Sequence, residues 1–421
     1  MYNENLLKNK IKEKENEIVR FIQELIKIPS TSGKTKEIQD FICKKLKEIG
    51  LETDIIKVDP KNLEKHRAFC DDGYPYEERF CTVGTLRGKE NKKSIMLNGH
   101  IDVVAPGNIE FWKHNPFGGE IVDGRIFGRG STDMKSGLAA AIFAVEILKE
   151  LGCEEHGDII INSVCGEETG GCGALSSIIE GYKADGCVIL EPTSFNICHI
   201  QAGASSFRLK IKGKSAHACL KVEGVNPINK FLKIYQAIEE LDKERHDNYN
   251  NSYYKYKENV APISVGILKC GDWPSTVPDE LIAEGRLGIF PNESLEEAQE
   301  ALISTVKKAC EGDKWLEENP PIIEWFEGQF ESCEVEEKSD LINVLKIAHK
   351  ETFKQDAELE GVTYGSDMRL FNLYGNTPAV LYGPGNISIA HTIDEYIEIK
   401  DILKAVEVIV KILINWNKTT K

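Results

Sequence analysis

Over residues 15–28 and 34–49, apolar side chains recur three and four positions apart with charged residues between them, which predicts two amphipathic helices. The pattern then changes. Ser94-Ile95-Met96-Leu97 is a short, largely apolar run closed by Asn98-Gly99, as in a buried strand that ends in a turn. Ile159-Ile160-Ile161 and Cys187-Val188-Ile189-Leu190 repeat it, and acidic residues follow each run. Helical spacing returns over 134–150, behind a loop punctuated by Gly128 and Gly130, so Asp133 falls at a helix entrance. Buried strands alternating with helices predict an α/β domain whose sheet is covered on both faces.

From 205 to 212 the character differs. Phe207, Leu209 and Ile211 alternate with polar residues, which reads as a half-exposed antiparallel strand. Helical spacing at 225–241, alternation at 263–269 and 280–289, a helix at 294–310 and a short strand at 321–325 complete a β-α-β-β-α-β order, that of a ferredoxin-like unit. Helical spacing resumes at 339–353. The expected organisation is therefore a discontinuous domain, 1–200 and 327–421, with an α+β module inserted at 201–326. A chain of 421 residues exceeds the roughly 250–300 at which a single core stops growing, which agrees with two domains.

Composition narrows the partners. The 52 basic and 68 acidic residues leave a net charge of −16, which argues against nucleic acid or an anionic membrane surface. No apolar run approaches the roughly 18 residues of a membrane span, and the basic stretch 8–14 lacks a signal peptide's apolar core, so a cytoplasmic protein is expected. The 12 cysteines include no Cys-x-x-Cys pair and several lie in apolar runs, so they read as reduced core residues.

Candidate chemistry lies at the ends of the apolar runs. His100, Asp133, Glu168, Glu191 and His391 each stand in a short glycine-rich or apolar setting, and Asp102 and Glu167 lie beside two of them. Singly, each has an ordinary reading: a surface-satisfied histidine, a solvated pair of glutamates, a helix N-cap at Asp133. Together, two His and three carboxylates suit a pair of zinc or cobalt ions, with one carboxylate bridging and another free to move protons. Strand ends are also where open α/β sheets place their clefts.

Six segments carry a resemblance. They are Gly99-His100-Ile101-Asp102, Gly128-Arg129-Gly130-Ser131-Thr132-Asp133-Met134-Lys135, Glu167-Glu168-Thr169-Gly170, Glu191-Pro192-Thr193-Ser194, Gly213-Lys214-Ser215-Ala216-His217-Ala218, and Gly383-Pro384-Gly385 ahead of Ala390-His391. In this order they resemble the M20 metallopeptidases and deacylases. The resemblance implies a two-zinc aminopeptidase-like catalytic domain, a mixed sheet between helices, with an inserted ferredoxin-like lid that forms a homodimer. It further implies that His100 and Glu191 hold one divalent ion, Zn²⁺ or Co²⁺, Glu168 and His391 the other, and Asp133 bridges them. Asp102 would accept a hydrogen bond from the far nitrogen of His100, and Glu167 would be the general base. His217 would reach the partner's site and donate to the oxyanion; Arg286, Asn226 and Ser366 would line the substrate.

The implied activity is removal of a small N-acyl group from an amino acid or related amine, most like acetylornithine deacetylase of amino-acid biosynthesis. Succinyl-diaminopimelate desuccinylase, aminoacylase or dipeptidase, and an N-formyl aminopyrimidine deformylase are the neighbouring readings. A metal-binding scaffold without catalysis is the reading from another class, and the joint presence of Glu167 and all five ligands speaks against it.

Overall fold

The runs that read as buried strands are neighbours in a computed structural model, which describes residues 3–153 and 155–419. Ile95–His100 lies between Ile159–Val164 and Cys187–Ile189 and runs parallel to both. Ala379–Leu381 adds to the far side of Cys187–Ile189, also parallel. Every residue of these four strands is buried, which is why they read as continuous apolar runs and not as alternation. Flanking strands are antiparallel: Phe80–Leu86 on Ile159–Val164, Glu52–Lys57 beyond it, and Ile197–Gln201 on Ala379–Leu381. The sheet is mixed, as expected.

Helices cover it. Ser136–Glu150 is buried along almost its whole length and packs against the sheet, against Glu4–Lys27 and against Ile399–Trp416. Its first turn sits hard on the end of a strand: a Cβ on Gly137 would lie 2.3 Å from the Leu190 carbonyl oxygen, so only glycine allows this approach beside Glu191. The first helix starts at Glu4, eleven residues earlier than the sequence predicts. Leu7 and Ile11 continue the face of Ile18, Ile22 and Leu25, while Lys10 and Lys14 on the same turns pair with Glu150 and Glu146. The lysines dominate the text there and hide the apolar stripe.

The chain divides into two compact units, one of Met1–His199, Val335–Glu360 and Ser366–Lys421, the other of Ile200–Glu334 and Gly361–Gly365. In the second unit, antiparallel strands lie in the order Ile263–Cys270, Glu280–Ile289, Gly203–Lys212, Ile322–Phe330. Helices Pro227–Asn248 and Leu295–Cys310 pack on them through Phe231, Ile234, Ile238, Leu302 and Val306 against Phe207, Leu209 and Ile211. This is the ferredoxin-like arrangement. The last strand runs on to Phe330, past the expected boundary at 326/327, because it pairs with Gly203–Lys212 nearly to that strand's start after an irregularity between Phe326 and Gln329.

Candidate metal centre

The four parallel strands end at one edge of the sheet, and the candidate ligands lie just past those ends. His100 closes its own strand; Glu167 and Glu168 follow Val164, and Glu191 follows Ile189. His391 comes from the loop after Leu381, and Asp133 from the irregular turn Ser131–Lys135 ahead of the helix. One ligand atom from each of His100, Asp133 and Glu168 falls within a 4.8 Å cluster, as does one from each of His100, Glu167 and Glu191.

Asp133 is the hub. Its Oδ1 lies 3.0 Å from His100 Nε2 and its Oδ2 3.4 Å from His391 Nε2, so its two oxygens face two different imidazoles. His391 Nε2 is also 3.0 Å from Glu168, and His100 Nε2 is 3.8 Å from Glu191 Oε1. His100, Asp133 and Glu191 are buried, whereas His391 is half exposed. His391 is held at φ 61°, a left-handed backbone that costs a non-glycine residue about 1–2 kcal/mol, and the surrounding contacts hold it there.

Asp102 corrects one expectation. His100 Nδ1 meets the backbone carbonyl of Asp102 at 2.9 Å, while the Asp102 carboxylate lies 3.8 Å away. That carboxylate instead accepts the N–H groups of Glu167 and Glu168, both at 3.3 Å. The two-residue spacing lets the main chain reach the imidazole first and leaves the fully buried carboxylate to hold the turn carrying both glutamates.

Electrostatics favour added positive charge. Burial pushes the Glu167 carboxyl well above the ordinary range, with Glu191 and Asp367 adding to it. Burial likewise raises Glu168, and burial with Asp133 nearby raises Glu191 far more. Burial works against charge on Asp133 too, yet His100 and His391 outweigh it and hold its carboxyl low. Asp133 and Glu168 push His391 up to about 10. Four carboxylates thus crowd around two imidazoles, and Glu191 Oε1 is buried without a hydrogen-bond partner. Nitrogen and oxygen donors without sulfur suit zinc, cobalt or a similar divalent cation.

The remaining expected residues lie as follows. Ser366 is buried, and its Oγ accepts the Met368 N–H at 3.2 Å, just ahead of the helix Met368–Leu373. In the other unit, Asn226 caps the helix Pro227–Asn248 through Ile228 N–H at 2.9 Å, and half-buried Arg286 donates to the Thr363 carbonyl at 3.3 Å. His217 is exposed, and its Nδ1 accepts the Cys219 N–H at 3.2 Å, which leaves the proton of the neutral ring on Nε2.

Sequence reasoning gave no role to Asp72, Arg79, Arg129 or Glu395. Asp72 receives both terminal nitrogens of buried Arg79, at 2.8 and 3.0 Å, and the Thr169 hydroxyl at 2.5 Å, beside Glu168. Asp367 is buried, and burial pushes its carboxyl up to about 7. A buried carboxylate in this position, near His100 and Arg369, is uncommon, and the Ser366-Asp367 pair in a glycine-led loop was the available signal.

The pattern described as peptidase family M20/M25/M40 matches residues 96–415. The chain belongs to this family. It is 27% identical over 433 residues to the N-formyl-4-amino-5-aminomethyl-2-methylpyrimidine deformylase of Bacillus subtilis, covering 97% of each chain. It is 25% identical over 434 residues to a probable succinyl-diaminopimelate desuccinylase of Staphylococcus aureus, covering 96% of this chain and 98% of that one. Among solved structures, a tripeptidase from Staphylococcus aureus matches at TM-score 0.74 with 21% identity over the whole of both chains. A dinuclear metal binding M20 peptidase from Bacillus subtilis matches at 0.66 with 17% identity, covering 96% of this chain and 98% of that one. The M20 assignment makes this a hydrolase of amide bonds on an α/β fold with an inserted lid domain. None of the 12 cysteines is in a disulfide, and no helix among the described residues is long and apolar enough to cross a membrane.

Proposed function

We propose that this M20 hydrolase is a two-metal deacylase that removes a small N-acyl group from an amino acid or related amine. The observation that carries it is Asp133, whose two oxygens face His100 on one side and His391 on the other. His100 and Glu191 would hold one ion, His391 and Glu168 the second, and Asp133 both; the solved dinuclear relative supports a pair. Bound there, two divalent cations polarise an amide carbonyl and lower the pKa of water.

The chain's own groups do the rest. Glu167 lies within reach of His100 and Glu191, so it is placed to take the proton of the attacking water and return it to the leaving amine. Asp102 fixes that carboxylate's main chain through two N–H bonds. His217, with its proton on Nε2, is the donor for the oxyanion across a homodimer, and Arg286 pairs with a substrate carboxylate. Asn226 and Ser366 are the further substrate-lining positions; each accepts a main-chain N–H through its side-chain oxygen, and amide and hydroxyl groups also carry donors.

Among acyl groups, similarity to the deformylase across 97% of the chain shifts the first choice from N-acetyl-ornithine to an N-formyl aminopyrimidine, with N-succinyl-diaminopimelate next. The test is a panel of these substrates together with N-acyl amino acids and dipeptides, assayed with zinc or cobalt. Cleavage of one member at least a hundredfold faster than the others supports the reading and fixes the acyl group. Cleavage of dipeptides alone overturns the deacylase assignment.

A further inference from the structure

The loops that supply Asp133 and His391 are joined by a buried ion pair that holds main-chain groups of both. Glu395, four residues after His391, is wholly buried. Its Oε1 accepts the main-chain N–H of Thr132 at 2.9 Å and of Asp133 itself at 3.2 Å. Its Oε2 accepts Arg129 Nη1 at 2.6 Å. Arg129, four residues before Asp133, is 2% exposed and donates from Nη2 to the carbonyl of His391 itself at 3.3 Å.

The grip is reciprocal: the charged residue of each loop holds the main chain of the other loop's ligand. Neighbouring bonds run the same way. Gly128 N–H meets the Glu395 carbonyl at 2.8 Å, Thr132 Oγ1 meets the Tyr396 carbonyl at 2.9 Å, and Arg125–Phe127 pairs with Tyr396–Glu398. The Arg129 guanidinium lies 5.3 Å from the Trp112 ring centre, which blocks its escape to solvent. A buried ion pair is poor stabilisation relative to an apolar one, so its use here is geometric.

We propose that Arg129 and Glu395 are positioning residues that set the separation of Asp133 and His391, and so couple occupancy of the two metal positions. This rests on the reading of those two residues as ligands. The charge of Glu395 is needed because its two oxygens serve three donors. Glutamine would turn one of these acceptors into a donor facing an N–H or a guanidinium.

The test is a cobalt titration of the chelator-stripped, full-length protein, read by calorimetry and by the visible absorption of bound Co²⁺. For Glu395→Gln the second equivalent is expected to bind about 10- to 100-fold more weakly, the scale for losing a ligand's outer hydrogen-bond partner, with an altered absorption band. Arg129→Lys keeps the charge beside Glu395 and loses the bond to the His391 carbonyl. It is the variant to use if Glu395→Gln does not fold, and the same weakening of the second equivalent is expected. Second-equivalent affinities within twofold of wild type in the folded variants, with an unchanged spectrum, overturn the brace. His391→Ala separates the two levels: if it binds cobalt as wild type does, the ligand reading itself fails, whereas loss of the second equivalent there beside unaffected brace variants refutes the brace alone.

Discussion

Glu167 and Glu168 are adjacent in sequence and both come near His100, yet Glu167 joins it with Glu191 whereas Glu168 joins it with Asp133 and also meets His391. Asp102 accepts both of their N–H groups and so holds the turn that carries them. Glu167→Gln is therefore expected to keep both metals and lose about 100- to 10,000-fold in kcat, the usual contribution of a general base; metal content and turnover measured on one sample check this. The candidate ligands were legible because each follows an apolar run or a glycine turn, signals carried within about ten residues. Glu395 and Asp72 were not, since they act on residues 262 and 97 positions away and no local pattern encodes such a partner. The Asp102 contact was misread for a subtler reason: sequence names the residue but not whether its carbonyl or its carboxylate arrives first.

At the scale of elements, the loop before Phe80–Leu86 closes on the glutamate turn through Asp72. Arg79 is 1% exposed with its guanidinium 4.5 Å from the Tyr76 ring centre, and Asp72 balances its buried charge. Asp72→Asn is expected to destabilise the fold by about 3 kcal/mol because it leaves a buried guanidinium unpaired. Thr169→Val, which removes only a hydroxyl bond, costs about 1 kcal/mol; denaturant unfolding of both variants distinguishes them. In the last helix, burial works against the Glu407 carboxylate, but hydrogen bonds from Lys411 and Lys404 outweigh it and hold its pKa below the usual value. A depressed folded pKa gives stability that is present above the unfolded value near ~4.3 and lost as pH falls through the folded one. Glu407→Gln should thus be less stable than wild type at pH 7, and the gap should narrow below about pH 4 in unfolding curves taken across pH. Element types were readable from periodicity; lengths were less so, as the lysine-rich start of the first helix illustrates.

For the whole molecule, the parallel strands deliver acidic and imidazole groups to one edge, and the fold accepts the repulsion among them. Three carboxyls there are pushed above their ordinary range by burial. A cation that binds only the folded state should then act as a stabiliser. Free metal at about 1,000 times Kd adds roughly 4 kcal/mol per site, so chelation is expected to lower Tm by several degrees and re-addition of zinc to restore it. Scanning calorimetry with and without chelator measures this.

The most direct test of the central claim is amide hydrolysis of the preferred panel substrate while zinc is added back to the chelator-stripped protein. The two-metal account expects no turnover without metal and a plateau at about two equivalents per chain. Undiminished hydrolysis by the stripped protein, or a plateau at one equivalent with the second ion inert, would contradict it.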